Sequence, residues 1–259
     1  MTKKRTLRER AMAGDLVRGA LIFECFTPGV AQIAKNADCE FVLYDMEHAG
    51  LSIETLKMLC ATCNGIGVEP IVRVPRGDYH FIARSLDVGA RGVMVPMVES
   101  RDQATAIAEA MRYPPQGRRG AAFGFAHDGY NAGSVLDTMK AANARSLAIA
   151  QIETERGLAA VDEIAAVAGI DVLWLGHFDL TNFMGIPGEF ANPRYVEAVK
   201  RIVAAAKKHK KGLGFMPASP EWTTTYRGYG FNMFGAGTDQ AILANGIKSI
   251  LASLNGRES

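Results

Sequence analysis

Eight short runs rich in valine, isoleucine, leucine and phenylalanine recur along the chain, at residues 19–25, 41–45, 70–74, 92–97, 147–152, 172–176, 212–216 and 231–235. Between them lie segments with apolar residues at i, i+3 and i+4, among them 53–63, 104–111, 195–206 and 241–251. A strand that is apolar at nearly every position has no solvent face, so it must be covered on both sides, and alternating helices supply the cover. Eight such units within 259 residues predict a (β/α)8 TIM barrel formed as a single domain. A doubly wound sheet would normally carry fewer strands in this length. Residues 1–17 precede the first run and read as an N-terminal extension. The one irregular insert, 113–133, is rich in glycine, proline and aromatics and is closed by a helix over 134–143. A loop of that length inside a compact domain is usually functional or a subunit contact.

Composition narrows the partners. A formal net charge of +2, from 29 basic and 27 acidic residues, argues against nucleic acid as a ligand. No apolar run approaches the roughly 18 residues of a membrane span. The basic start MTKKRTLRER is followed by no apolar core of the kind a signal peptide needs. Four cysteines are too few for a disulfide scaffold. The expectation is a cytoplasmic globular protein.

In a barrel of this kind chemistry collects where strands end. The expected strand ends carry Asp45-Met46-Glu47-His48, Arg73, Gln151-Ile152-Glu153 and Gly176-His177-Phe178-Asp179. Buried charges are rare unless paired, and a barrel mouth has no structural need for this set. Side chains alternate along a strand, so Gln151 and Glu153 share a face. Glu153 and Asp179, from neighbouring strands about 4.8 Å apart, either hold Mg2+ or Mn2+, with water and substrate completing the shell, or form ion pairs with Arg73 or Arg156. His48 is a candidate general acid or base. Arg73 is suited to a carboxylate or a developing oxyanion. His80 and His209 fall on expected helices and read as surface residues. His127, beside Asp128 in the insert, is either a loop histidine or a group reaching a neighbouring active site. Cys60 and Cys63 have zinc-like spacing but lack a second pair, and read as core. The stretch GAGT at 235–238 fits a phosphate loop, a carboxylate site or a tight turn equally.

The segments LYDMEHA (43–49), VR (72–73), LDVG (86–89), VPMV (95–98), RYPPQGRRG (112–120), QIET (151–154) and GHFDLT (176–181) occur in one order. As a set they resemble the metal-dependent class II pyruvate aldolases, which include the 4-hydroxy-2-oxoheptanedioate and 2-keto-3-deoxy-sugar-acid aldolases. The match covers roughly residues 18–255. The resemblance implies a (β/α)8 barrel in a homohexamer, built as a trimer of dimers with the last helix swapped between partners. It implies Glu153 and Asp179 as ligands of a divalent cation (Mg2+, Mn2+ or Co2+). Gln151 and the backbone around Phe178 and Asp179 would bind the pyruvate carboxylate. Arg73 would stabilise the enolate, and His48 would move the proton. Asp87 matches the acid that raises the basicity of this histidine. It ends a returning helix, at the wrong end of its own barrel, so it would act across a subunit interface, and Asp45 is the local competitor.

Two departures stand out. The family commonly has proline where His177 stands and a smaller residue where Phe178 stands, and the insert reads FGFAHDGY at 123–130 where many members carry arginine. Both are expected near the aldehyde half of the substrate. The reading is therefore a divalent-metal-dependent aldolase that reversibly cleaves a 4-hydroxy-2-oxo acid to pyruvate and an aldehyde. The rivals are an acyl-CoA ester lyase resembling the citrate lyase β subunit, and a non-catalytic keto-acid-binding protein.

The lysines yield a first prediction. An imine-forming aldolase needs a desolvated lysine on or just past a strand. All eleven lysines fall in the N-terminal tail, on expected helices or just before the seventh run. Borohydride reduction in the presence of pyruvate, followed by intact mass measurement, should leave the protein unmodified and active. A stable adduct with inactivation would refute a mechanism without an imine.

Overall fold

The computed structural model describes residues 5–131 and 133–254; Lys3 and Lys4 of the expected tail lie outside them. In chain order the elements are α1 (Leu7–Met12), β1 (Val17–Ile22), α2 (Pro28–Asn36), β2 (Phe41–Asp45), α3 (Ile53–Ile66), β3 (Glu69–Arg73), α4 (Tyr79–Asp87), β4 (Gly92–Val95) and α5 (Arg101–Met111). Then follow α6 (Val135–Arg145), β5 (Leu147–Ile152), α7 (Glu155–Ala159), α8 (Val161–Ala166), β6 (Val172–Leu175), α9 (His177–Phe183), α10 (Pro193–Lys208), β7 (Gly212–Phe215), α11 (Pro220–Tyr229), β8 (Met233–Thr238) and α12 (Asp239–Leu254). The eight strands are all parallel and close in sequence order, β8 pairing with β1. This is the expected TIM barrel.

The alternation of side chains sorts the core into two layers. Phe41, Leu43, Ile71, Leu147, Ile149, Val172 and Trp174 fill the barrel. Their strand neighbours Val42, Tyr44, Val72, Ala148, Ala150, Leu173 and Leu175 pack outward under the helices. Continuing the inner period of two towards the C-terminal rim places Asp45 after Leu43, Arg73 after Ile71, and Gln151 and Glu153 after Ile149. Glycine makes room for the larger interior side chains: a Cβ at Gly214 would lie 2.1 Å from the Trp174 ring.

The other end of the barrel is sealed. Helix α1, capped by Thr6 and Glu9, brings Ala11 into the interior layer, where Asn232 Nδ2 donates to its carbonyl at 2.8 Å. Part of the expected N-terminal extension is thus the barrel floor. Beside it the buried Asp171 accepts from Arg8 Nε at 2.9 Å, Arg112 Nη2 at 3.1 Å and the Ala148 amide at 2.9 Å. Helix α12 is different. It meets β1 and β8, yet none of its residues is buried, and Ile242, Leu243, Ile247, Ile250, Leu251 and Leu254 are all exposed.

Several strand ends shift from expectation, and two of the shifts bear on the site. The first strand stops at Ile22, because the amides of residues 23–25 turn away to a carboxylate on α12. The sixth stops at Leu175, and Asp179 lies in the first turn of α9 rather than on the strand.

Candidate active site

Arg73 anchors the mouth. Its Nε donates to Asp45 Oδ1 at 2.5 Å and lies 3.2 Å from Glu47 Oε2. The guanidinium is only 9 % exposed and stacks against Phe23, 5.2 Å from the ring centroid. Asp45 is fully buried, and its second oxygen accepts the His48 backbone N–H at 2.7 Å. Asp45 therefore shapes the turn that carries His48 and does not orient its ring. The ring, with its side chain 57 % exposed, has Glu47 Oε2 as its acidic neighbour at 3.5 Å.

Glu47 is the functional candidate that sequence reasoning passed over. It continues the inner parity Phe41, Leu43, Asp45, although the strand has already ended. Its Oε2 is buried and, despite the ion pair with Arg73, makes no aligned hydrogen bond. Burial pushes its carboxyl up to about 7, with Asp45 and Asp179 adding to the rise against the opposing pull of Arg73.

Glu153, 2 % exposed, faces Glu47 and Asp179 electrostatically. Its Oε1 accepts the Met97 amide at 2.7 Å and its Oε2 accepts from Gln151 Nε2. Met97 adopts φ = 53°, a left-handed conformation uncommon outside glycine, and presents that amide to Glu153. Such strain concentrates at functional sites. Burial raises Glu153 to about 7; the Met97 and Gln151 bonds oppose the rise, and Glu47 and Asp179 add to it. Gly176 is required by proximity: a Cβ there would lie 2.4 Å from Glu153 Oε2 and 3.0 Å from Gln151 Nε2.

Arg73, Gln151 and Gly176 border a cavity of about 90 Å3 whose lining also includes Leu21, Phe23, His177 and Asp179. No described lysine lines it. A larger cavity of about 760 Å3 lies at the sealed end, beside Arg8 and Arg112. It contains none of the converging carboxylates, so the smaller one, lined by Arg73, Gln151 and Asp179, is the candidate site.

The remaining expected residues separate. His177 is buried among Phe178, Phe190, Phe215 and Trp222, with centroids 4.4–5.5 Å away, and burial lowers its pKa to about 4. It is a neutral wall residue, while Phe178 stands 55 % exposed beside Asp179. Asp87 pairs with Arg119 at 2.6 Å, and His127 is buried against Tyr113 at 3.3 Å, both at the floor end. The 113–131 segment thus lies at the far end of its own barrel, because it leads into the start of β5, and could approach an aldehyde only in a neighbouring subunit. His80 is exposed on α4; His209 caps α10 and bonds Asp162.

Glu153, Asp179 and Glu47 crowd one small space in which Arg73 is the nearest cation. That donor set fits a hard divalent ion. Among the described residues no group of three or more His, Cys, Asp or Glu is set to enclose one, so Glu153 and Asp179 would leave positions for water and substrate.

A parallel barrel with buried carboxylates and an arginine at its open rim defines an enzyme active site of the TIM-barrel class. Residues 20–246 match the HpcH/HpaI aldolase/citrate lyase family, and the chain belongs to it. It is similar to the hydroxypyruvate/pyruvate aldolase of Roseovarius nubinhibens, at 30 % identity over 251 residues and 95 % of each chain. It is also similar to the 2-dehydro-3,6-dideoxy-6-sulfogluconate aldolase of Pseudomonas putida, at 33 % identity over 88 % of this chain and 89 % of that one. The crystal structure of an HpcH/HpaI aldolase from Desulfitobacterium hafniense DCB-2 superposes with a TM-score of 0.88 at 27 % identity, covering 95 % and 97 % of the two chains.

The raised carboxyls predict a pH dependence. Between their ordinary values near 4.5 and about 7, Glu47 and Glu153 hold more protons folded than unfolded. These two carboxyls therefore contribute a stability of the metal-free protein that falls as pH rises through this window, while His177 and His127, both lowered by burial, contribute in the opposite sense below their ordinary value near 6.5. In EDTA, Tm should decrease from pH 6.5 to pH 8, above the range in which the two histidines oppose the carboxyls. Glu153→Gln should flatten the decline, and Mn2+ at pH 8 should reverse it. A Tm that rises over this range without metal would contradict the site electrostatics.

Proposed function

We propose that this protein is a divalent-metal-dependent carbon–carbon lyase that reversibly cleaves a 4-hydroxy-2-oxo acid to pyruvate and an aldehyde. The observation that carries it is the placement of Arg73, Asp179 and Gln151, which bonds the buried Glu153, around one small cavity. Glu153 and Asp179 would hold Mg2+, Mn2+ or Co2+, which when bound supplies Lewis-acid polarisation of the 2-oxo group.

The chain's own groups divide the remaining work. Gln151 and the first-turn amides of α9 around Phe178 and Asp179, which have no partner within the helix, receive the C1 carboxylate. Arg73 faces the oxygen where enolate charge develops, a contact worth about 3–4 kcal/mol of barrier. His48, half exposed at the rim, takes the C4 hydroxyl proton as the C3–C4 bond breaks, and Glu47 beside its ring stabilises the charged imidazole. Asp87 is held by Arg119 at the floor end and can raise the basicity of His48 only from a neighbouring subunit. The exposed aliphatic face of α12 supports such an assembly, because each side chain it buries on a second copy contributes about 1.5–3 kcal/mol. A homohexamer with this helix exchanged between partners, in the cytoplasm, completes the proposal. No helix among the described residues is long and apolar enough to cross a membrane.

An acyl-CoA ester lyase would need a basic entrance for the nucleotide. Among the described residues Arg73 is the one cation lining the mouth, and Asp45 and Glu47 already engage it. A non-catalytic binder would leave the methyl protons of pyruvate untouched.

Pyruvate incubated in D2O with enzyme and Mg2+ or Mn2+ should exchange its methyl protons. Glu153→Gln and Asp179→Asn should lose cation binding and turnover while keeping the fold, and Arg73→Ala should lose cleavage and exchange together. Full activity in a demonstrably metal-free preparation, or undiminished exchange in Arg73→Ala, would remove the reading. Sedimentation should show an oligomer that Ile250→Glu dissociates, and a monomeric wild type would remove the assembly.

A further inference from the structure

The geometry points to Asp239 as a positioning residue for Arg73, acting through Phe23. This inference rests on the aldolase reading for the role of Arg73, and on geometry alone for the coupling.

Strand β1 leaves the sheet at Ile22, where its register with β8 has already slipped between Gly19 and Leu21. The next three backbone amides all donate to one carboxylate, that of Asp239. Phe23 N–H reaches Oδ1 at 2.9 Å, and the Glu24 and Cys25 N–H groups reach Oδ2 at 3.1 and 2.6 Å. Hydrogen bonds from neutral donors to a charged acceptor are about twice as strong as neutral ones, so one side chain determines the path of this turn.

The turn matters because of what Phe23 does. Its ring packs on the barrel interior layer and lies over the guanidinium of Arg73, 5.2 Å from the centroid. Arg73 is thus held on its edge by Asp45 and Glu47 and on its face by Phe23. The carboxylates determine how deep the guanidinium sits, and the ring determines its tilt. Without the Asp239 anchor, three amides lose their acceptor, the turn relaxes, and the ring no longer confines the plane of the guanidinium. Asp239 is also the first residue of α12, so the helix with the exposed aliphatic face begins at the group that fixes the catalytic arginine.

Two measurements on the full-length protein test this. The first is arginine labelling by phenylglyoxal, mapped by mass spectrometry. In Asp239→Ala and Phe23→Leu the Arg73 peptide should label several-fold faster than in the wild type, while the buried Arg112 stays unlabelled as the control for global unfolding. Asp239→Glu should restore slow labelling at least in part. Equal Arg73 labelling in all variants would overturn the proposal whatever reaction the protein catalyses, and Phe23→Leu decides it if Asp239→Ala does not fold.

The second measurement is a double-mutant cycle on pyruvate proton exchange. Asp239→Asn should lower kcat about three- to tenfold, the scale of a partly desolvated cation–π contact, with KM little changed. In an Arg73→Lys background the same substitution should have almost no effect, since residues that act through each other are non-additive. The same loss in both backgrounds would mean a merely structural role. A wild type that exchanges no protons would refute the aldolase reading, and the labelling result would still decide the positioning claim.

Discussion

An arginine below the rim of an apolar barrel is tolerable only if its charge is met. The Arg73–Asp45 pair is therefore the constraint on which the rest of the mouth depends. Both groups are buried, and removing one partner of such a pair typically costs about 3–5 kcal/mol because the other is left uncompensated. Asp45 is also committed elsewhere, since its second oxygen holds the His48 amide. One carboxylate thus sets the depth of the guanidinium and the turn that carries Glu47 and His48 at the rim. Glu153, Gln151 and Asp179 are then arranged around a cation whose position is already determined.

The barrel was legible in the chain because both of its signals are local. Continuous apolar runs fix two-sided burial, and the helical period between them fixes the connections, so all eight strands were recovered with errors confined to their ends. Those errors have physical causes. The first run was extended to residue 25 because Phe23 and Cys25 are apolar, whereas the backbone there bonds Asp239, more than 200 residues away. Residue 179 was placed on a strand because nothing local announces that the strand gives way to helix at Gly176.

The site was legible wherever it follows strand parity. Arg73, Gln151 and Glu153 continue the inward alternation of their strands, and the mouth holds all three. Glu47 obeys the same parity but lies beyond the strand, where the alternation carries no guarantee, and only the folded structure shows its buried oxygen. The Asp239–Phe23 link joins the two ends of the sequence, which no periodicity can reveal. The insert is a different case. Its departures from the family pattern point to a substrate mouth, but chain direction places a segment between α5 and β5 at the floor of its own barrel, so any such role belongs to a neighbouring subunit.

The two ends of the barrel treat buried carboxylates in opposite ways, and that contrast explains where reactivity lies. At the floor, Asp171 has two arginines and a backbone amide around one negative charge. Its demand is met, and helix α1 closes the end to solvent. At the mouth, four carboxylates (Asp45, Glu47, Glu153 and Asp179) gather near one arginine, and burial lifts Glu47 and Glu153 to about 7. Folding alone does not relieve that shortage of positive charge. It would have been less costly to place neutral residues there, as in the interior layer just below. A site with more carboxylates than cations, an arginine at its edge and Gly176 leaving space beside Glu153 is organised around a ligand, as the proposed divalent cation would be, rather than around its own stability.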